Sequence, residues 1–362
     1  MSTIAAIAVL AILIVVHELG HFLAARLQGI HVNRFSIGFG PILWKYQGPE
    51  TEYALRGFPL GGFVGFPDDD PDSPIPPNDP DLLRNRPILD RAIVISAGVI
   101  ANLIFAYFLL VAQVGIVGIQ DFNYRPGVLV PQVATDVSSA AARAGIQAGD
   151  IILSANGETL TASESSIPKL MDIIQDRPGE PIPLEIKRGD EILDLTVTPE
   201  NIDGKARIGV QLAPNGDIIR RRVNNPLDVF GIAAQQFQQV TIRILQGFGQ
   251  LISNFSETAE QVAGPVAIVA IGASVAKSDL ASLFQFGALI SINLAIINIL
   301  PLPALDGGQL AFLLVEGVRG KPLPTKIQDG VMQTGLMLLL GLGIFLIVRD
   351  TARLDWVQQF FQ

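Results

Sequence analysis

Ile4-Ala-Ala-Ile-Ala-Val-Leu-Ala-Ile-Leu-Ile-Val-Val16-His17-Glu18-Leu19-Gly20-His21-Phe22-Leu23-Ala24-Ala25 opens the chain with an apolar run that three ionisable side chains interrupt. Counted as one segment it has about the 20 residues a helix needs to cross a bilayer. A cleaved signal peptide is the competing reading. No basic residue precedes the apolar core, however, and His-Glu is not a small-residue cleavage site. The first span is therefore read as a retained transmembrane helix.

Working outward, three further apolar stretches occupy residues 92–119, residues 280 to about 305 with a resumption over 310–315, and residues 331–348. The third is broken near its end by Pro301 and Pro303. Four spans are expected, the third irregular. Composition agrees: 49% of the 362 residues are hydrophobic and only 16% charged, against about 25% charged in soluble domains. The net charge of −9 argues against nucleic acid as a partner, because phosphate binding needs dense Lys and Arg. With no cysteine, disulfides, thiolate metal ligands and a cysteine nucleophile are excluded.

The intervening segments differ in texture. Residues 35–66 alternate glycine with aromatic and β-branched residues, as strands and tight turns do, and are unusually apolar for a solvent loop. Non-helical backbone sits at membrane depth only where it lines protein or a cavity, so a β-sheet dipping toward a site is expected. Residues 67–90 form a linker, Pro- and Asp-rich over 67–80. Residues 121–212 read as a small α+β domain, with strands at 127–133, 150–155, 183–187 and 192–197 and helices at 137–144 and 165–175. Asn156-Gly157 supplies a tight turn between strands. Residues 213–279 are a connecting segment, amphipathic and helical over 226–262. Membrane core thus comprises residues 1–120 and 280–362. Lys and Arg flanking the first and third loops place those loops in the cytoplasm, and the small domain with both termini opposite.

His17 and His21 stand at i and i+4, on one helix face, so both imidazoles can reach one zinc ion. Glu18 can approach a metal-bound water as general base, zinc lowering that water's pKa to about 7. The plain alternative is a polar helix end at the interface. It leaves a carboxylate within a span, at a cost of at least ~2.5 kcal/mol. A catalytic zinc takes three protein ligands. A third histidine at the extended metzincin spacing would fall on Leu27, and His31 lies beyond the apolar run, where a structural role suits it. A carboxylate is left, and Asp306 in Asn298-Ile-Leu-Pro301-Leu-Pro303-Ala-Leu-Asp306-Gly307-Gly308 is the outstanding candidate. Its plain alternative is the N-cap of a restarting helix.

HExxH in the first span together with this late Asn-x-x-Pro-x-Pro-x-Leu-Asp-Gly segment resembles the site-2 protease family of intramembrane zinc metalloproteases, in its RseP-like bacterial branch. The resemblance spans almost the whole chain. It implies zinc held by His17, His21 and Asp306, water activated by Glu18, and Asn298 contacting substrate or oxyanion. Gly38-Phe39-Gly40 and the surrounding loop, with Gly61 and Gly62, resemble the family's membrane-reentrant sheet that receives a substrate strand. Gly98 to Asn102 is similar to its Gly-x-x-x-Asn segment, Val99 standing where proline is common, and implies substrate contact by Asn102. Gly264-Pro265 resembles its Gly-Pro segment. Residues 143–157 resemble a PDZ domain, one where relatives carry two, implying peptide binding or substrate screening. Single-span membrane proteins are the implied substrates, and a bacterial cytoplasmic membrane the implied location. A PDZ scaffold without catalysis would need no Glu18. A metal or proton transporter would leave the small domain without a role.

Overall fold

The computed structural model describes residues 2–70, 73–134, 140–202, 204–255 and 262–352. Two compact units emerge, residues 119–221 and the remainder of the chain.

The larger unit is a polytopic α-helical membrane fold. Its long apolar helices among the described residues are α1 (Ser2–Leu27), α2 (Ile88–Ala112, prolonged by a π turn, Gln113–Val117), α7 (Leu280–Ile299) and α9 (Thr325–Ala352). α5 (Pro226–Ser253), α6 (Pro265–Ser278) and α8 (Asp306–Arg319) complete the unit. Small residues let these helices approach closely where the solvent offers no hydrophobic drive. A Cβ on Gly20 would lie 2.5 Å from the Ala97 carbonyl and 2.7 Å from Ala101 Cβ, so α1 packs on α2 only through glycine. Ala106, Leu110, Ala233, Ala288 and Ile292 form a buried seam between α2, α5 and α7.

β1 (Arg34–Gln47) and β2 (Glu52–Gly65) each bend sharply and pair with one another along three stretches. Residues 34–37 run antiparallel to 62–65 on one side and parallel to 52–55 on the other, and 52–55 pair antiparallel with 44–47. Four strips thus lie in the order 62–65, 34–37, 52–55, 44–47. Gly38 and Gly40, both at positive φ, allow the bend, since a Cβ at either would strike Phe58. Phe39, Leu43, Trp44, Tyr46 and Phe58 are exposed.

The second unit is built on an antiparallel sheet ordered β10-β3-β4-β6-β7, with β5 paired to β4. Its strands are β3 (Ile119–Val133), β4 (Ile151–Ala155), β5 (Glu158–Thr159), β6 (Ile182–Arg188), β7 (Glu191–Val197) and β10 (Val210–Arg221); β8 (Glu200–Ile202) and β9 (Lys205–Arg207) form a separate hairpin. α3 (Ala140–Arg143) and α4 (Ser166–Gln175) cover a core that includes Ile152, Leu160, Leu170, Ile182 and Ile186. Asn156 and Gly157 both take positive φ in the β4–β5 turn, the mirror-turn geometry of tight hairpins.

Several expectations are corrected. Helix α7 stops at Ile299 rather than near 305, because Leu300 is extended ahead of Pro301. β10 continues to Arg221, beyond the boundary expected at 212, because its second half pairs with residues 119–124 of β3. In the acidic linker, Asp68 accepts from the Leu83 N–H and pairs with Arg84, and Asp70 pairs with Arg34 at 3.0 Å, so these carboxylates are tied to structure. Residues 71–72 of that linker, 135–139 of the helix expected at 137–144, and 256–261 of the amphipathic segment lie outside the described residues.

Candidate metal centre

The HExxH sequence sits in the second half of α1, with the His17 side chain 11% and the His21 side chain 12% exposed. Each ring is oriented through its Nδ1 by α2. His21 Nδ1 lies 2.8 Å from the Val94 carbonyl and must donate there, since a carbonyl only accepts. His17 Nδ1 lies 3.3 Å from the amide of Asn102, which is fully buried. Asn102 Oδ1 otherwise has no partner among the described residues. Amide oxygen and nitrogen are exchangeable assignments, and turning the amide lets Oδ1 accept from His17 Nδ1–H. Asn102 itself is anchored by its carbonyl, which accepts from Ser291 Oγ at 2.8 Å. Gly98 leaves the space for both rings: a Cβ there would lie 2.3 Å from His21 Nε2 and 2.8 Å from His17 Cε1.

With both protons on Nδ1, both Nε2 lone pairs point at one place. They are 3.2 Å apart. Asp306 Oδ2 lies 3.3 Å from His17 Nε2 and 3.4 Å from His21 Nε2, buried and with no hydrogen-bond donor among the described residues. Three acceptors in a triangle with no proton between them repel unless a cation joins them. Tetrahedral zinc, with bonds of about 2.0–2.1 Å, requires ligand atoms about 3.3 Å apart. The donor set fits that ion in type and in spacing.

Asp306 reaches the imidazoles because the chain breaks between α7 and α8. Ala304 takes a positive φ of 68°, and Gly307 and Gly308 press on the break: a Cβ would lie 2.1 Å from the Leu300 carbonyl at the first and 2.3 Å from the Leu302 carbonyl at the second. The Asp-Gly-Gly run thus puts the carboxylate in the first turn of α8 with backbone packed behind it.

A cavity of about 620 Å³ opens onto this triangle, and Glu18 lines it. Of the sheet residues singled out in the sequence, Gly62 alone reaches the cavity, where a Cβ would lie 2.9 Å from Glu18 Cγ; Phe63 and Val64 line the same wall. Gly38, Phe39, Gly40 and Gly61 do not line it. A Cβ on Gly61 would enter the Phe39 ring, so these residues shape the sheet. Asn298, in the last turn of α7, does not line the cavity either. Asn102 is too deeply buried to touch a substrate and belongs behind His17. A second cluster, His31 with Asp79 and Asp81, is more exposed, and its Asp81 is already paired with Arg86 at 2.8 Å. The ring orienter Val94 and the ion pair between Arg91 and Glu316 escaped the sequence reading. A charge following the apolar run 310–315 was the available signal for Glu316.

A model of peptidase family M50 matches residues 5–342. The chain belongs to peptidase family M50. It is 65% identical to the putative zinc metalloprotease all3971 of Nostoc sp. over the full length of both chains. To the chloroplastic membrane metalloprotease ARASP of Arabidopsis thaliana it is 53% identical, covering 99% of this chain and 80% of that one. It is 29% identical to the regulator of sigma-E protease RseP of Salmonella typhimurium, over 93% and 96% of the two chains. This M50 peptidase is therefore a zinc metalloendopeptidase built as a multi-pass membrane protein, homologous at lower identity to RseP-type site-2 proteases.

Proposed function

We propose that the enzyme cleaves peptide bonds within transmembrane segments of single-span membrane proteins, as a step of regulated intramembrane proteolysis, with His17, His21 and Asp306 as zinc ligands. The observation that carries this reading is the convergence of His17 Nε2 and His21 Nε2, from the membrane-spanning α1, with Asp306 Oδ2 from α8, beside the Glu18 carboxylate. Zinc, when bound, supplies a Lewis acid that acidifies water and polarises a carbonyl. Glu18 takes the proton of the attacking water and returns it to the leaving amide nitrogen. Val94 and Asn102 hold the two imidazoles in the tautomer that frees Nε2.

A helical substrate hides its carbonyls in its own hydrogen bonds, so it must be unwound before attack. The strip 62–65 is an outer strip of the sheet, and among the described residues its strand partner is 34–37 alone. An extended substrate added along its free side would lie beside Glu18. The exposed aromatic and aliphatic side chains of the sheet support a membrane-reentrant position. The 119–221 unit, with its Asn-Gly hairpin and sheet flanked by α4, supports a PDZ-like domain that binds peptide or screens substrates. A bacterial cytoplasmic membrane is the proposed location, and Arg and Lys around the first and third loops support that domain on its non-cytoplasmic face. Glu18→Gln is expected to retain zinc and to stop cleavage of a single-span substrate reconstituted in liposomes; turnover by that variant refutes the role of Glu18.

A further inference from the structure

Every ligand of the proposed centre comes from α1 or α8, yet α2 organises it. Val94, Gly98 and Asn102, spaced by four residues, form one face of α2. On that face the Val94 carbonyl fixes His21, Gly98 seats both rings and Asn102 meets His17. Arg91, three residues before Val94, continues the same face and lines the cavity. Its guanidinium pairs with the Glu316 carboxylate on α8, the helix whose first residue is Asp306. Both side chains line the cavity and both are only 15% exposed. Arg91 Nε is buried and finds no hydrogen bond among the described residues, which concentrates the guanidinium's interaction on Glu316.

We infer that Arg91 and Glu316 are positioning residues for the third metal ligand: their ion pair locks α8 against α2 and so holds Asp306 at the distance the two imidazoles require. The physical reason lies in how α8 is tethered. Its N-terminal end follows a chain break in which Ala304 takes a positive φ, so no continuous helix carries the direction of α7 into α8. α2 already fixes His17 and His21. A bond from α2 to the third turn of α8 places the remaining ligand in the same frame. In the partly desolvated mouth an unpaired partner would be driven toward water, taking α8 with it.

The inference rests on the zinc site proposed above, and the test separates the two. Full-length wild type, Arg91→Ala, Glu316→Ala, Arg91→Lys and the exchange Arg91→Glu/Glu316→Arg are purified in detergent and checked for cooperative thermal unfolding. Zinc release to a chelator is timed, and kcat and KM are measured on a single-span substrate. The two alanine variants are expected to release zinc about 10–100-fold faster, with kcat lowered in proportion and KM within about twofold. Arg91→Lys falls between, and the exchange regains most of the loss because a cation again faces an anion. Alanine variants that keep zinc and kcat overturn the inference, as does an exchange no better than the worse single variant. A wild type that binds no zinc overturns the metal site itself. Should the alanine variants fail to unfold cooperatively, the lysine variant and the exchange decide alone.

Discussion

At the residue scale, the centre depends on a missing side chain as much as on those present. Gly98 is a space that two imidazoles fill. In Gly98→Ala the added methyl would lie 2.3 Å from His21 Nε2, and backbone carries it, so the rings must yield. Zinc affinity is expected to fall by about 10–100-fold, read as metal content after dialysis against buffered free zinc; full occupancy at all zinc levels would contradict the packing. Asn102→Ala removes the partner of His17 Nδ1 without steric intrusion, so it should weaken zinc similarly while leaving thermal stability nearer wild type. That His17 and His21 share one helix face was legible because spacing on a helix is periodic. Asp306 was legible because an acid between proline and glycine in an apolar run needs a reason. The sequence reading placed Asn102 against substrate, because a motif records that a polar side chain is wanted and not which of its neighbours wants it.

At the element scale, the spans were readable from apolar length alone, whereas the sheet's strip order was not. β1 and β2 alternate in the manner of strands, but each folds back on itself, and nothing local states which half pairs with which. Long-range caps are hidden for the same reason. α6 begins at Gly264-Pro265, and its Ala267 N–H donates to Asp350 Oδ2 at 3.0 Å, from the far end of α9. Gly264 is needed because a Cβ would lie 2.5 Å from that oxygen. Gly264→Ala and Asp350→Ala should each lower stability by about 1–2 kcal/mol, the range of a lost N-cap. Because they break one interaction, the double variant should fall well short of the sum. Thermal unfolding in detergent measures this, and strict additivity would show that the two residues act separately.

At the scale of the whole molecule, one chain joins a membrane unit stabilised by close helix contacts to a unit with an ordinary hydrophobic core, and acid should discriminate between them. In the 119–221 unit the Asp150 side chain is 1% exposed and accepts from Arg188 at 2.7 and 2.8 Å and from the Gln147 N–H at 2.8 Å. Burial alone would raise its carboxyl, but Arg188 and the backbone donor outweigh it and hold the group below the usual carboxylate range. A carboxyl depressed on folding adds stability that is complete above its unfolded value of about 3.9 and is lost as pH falls through the folded one. Hydrogen exchange on the full chain between about pH 3 and 6 should therefore show β4 and β6 losing protection at the acid end. Arg188→Ala leaves the carboxylate buried beside no cation, which turns the depression into an elevation. Stability at neutral pH then drops, by less than the ~3–5 kcal/mol of a fully buried pair because Arg188 is itself 31% exposed. In that variant protection should rise as the group protonates, so the pH slope reverses sign. An unchanged slope would mean that some other group governs the acid response of this unit.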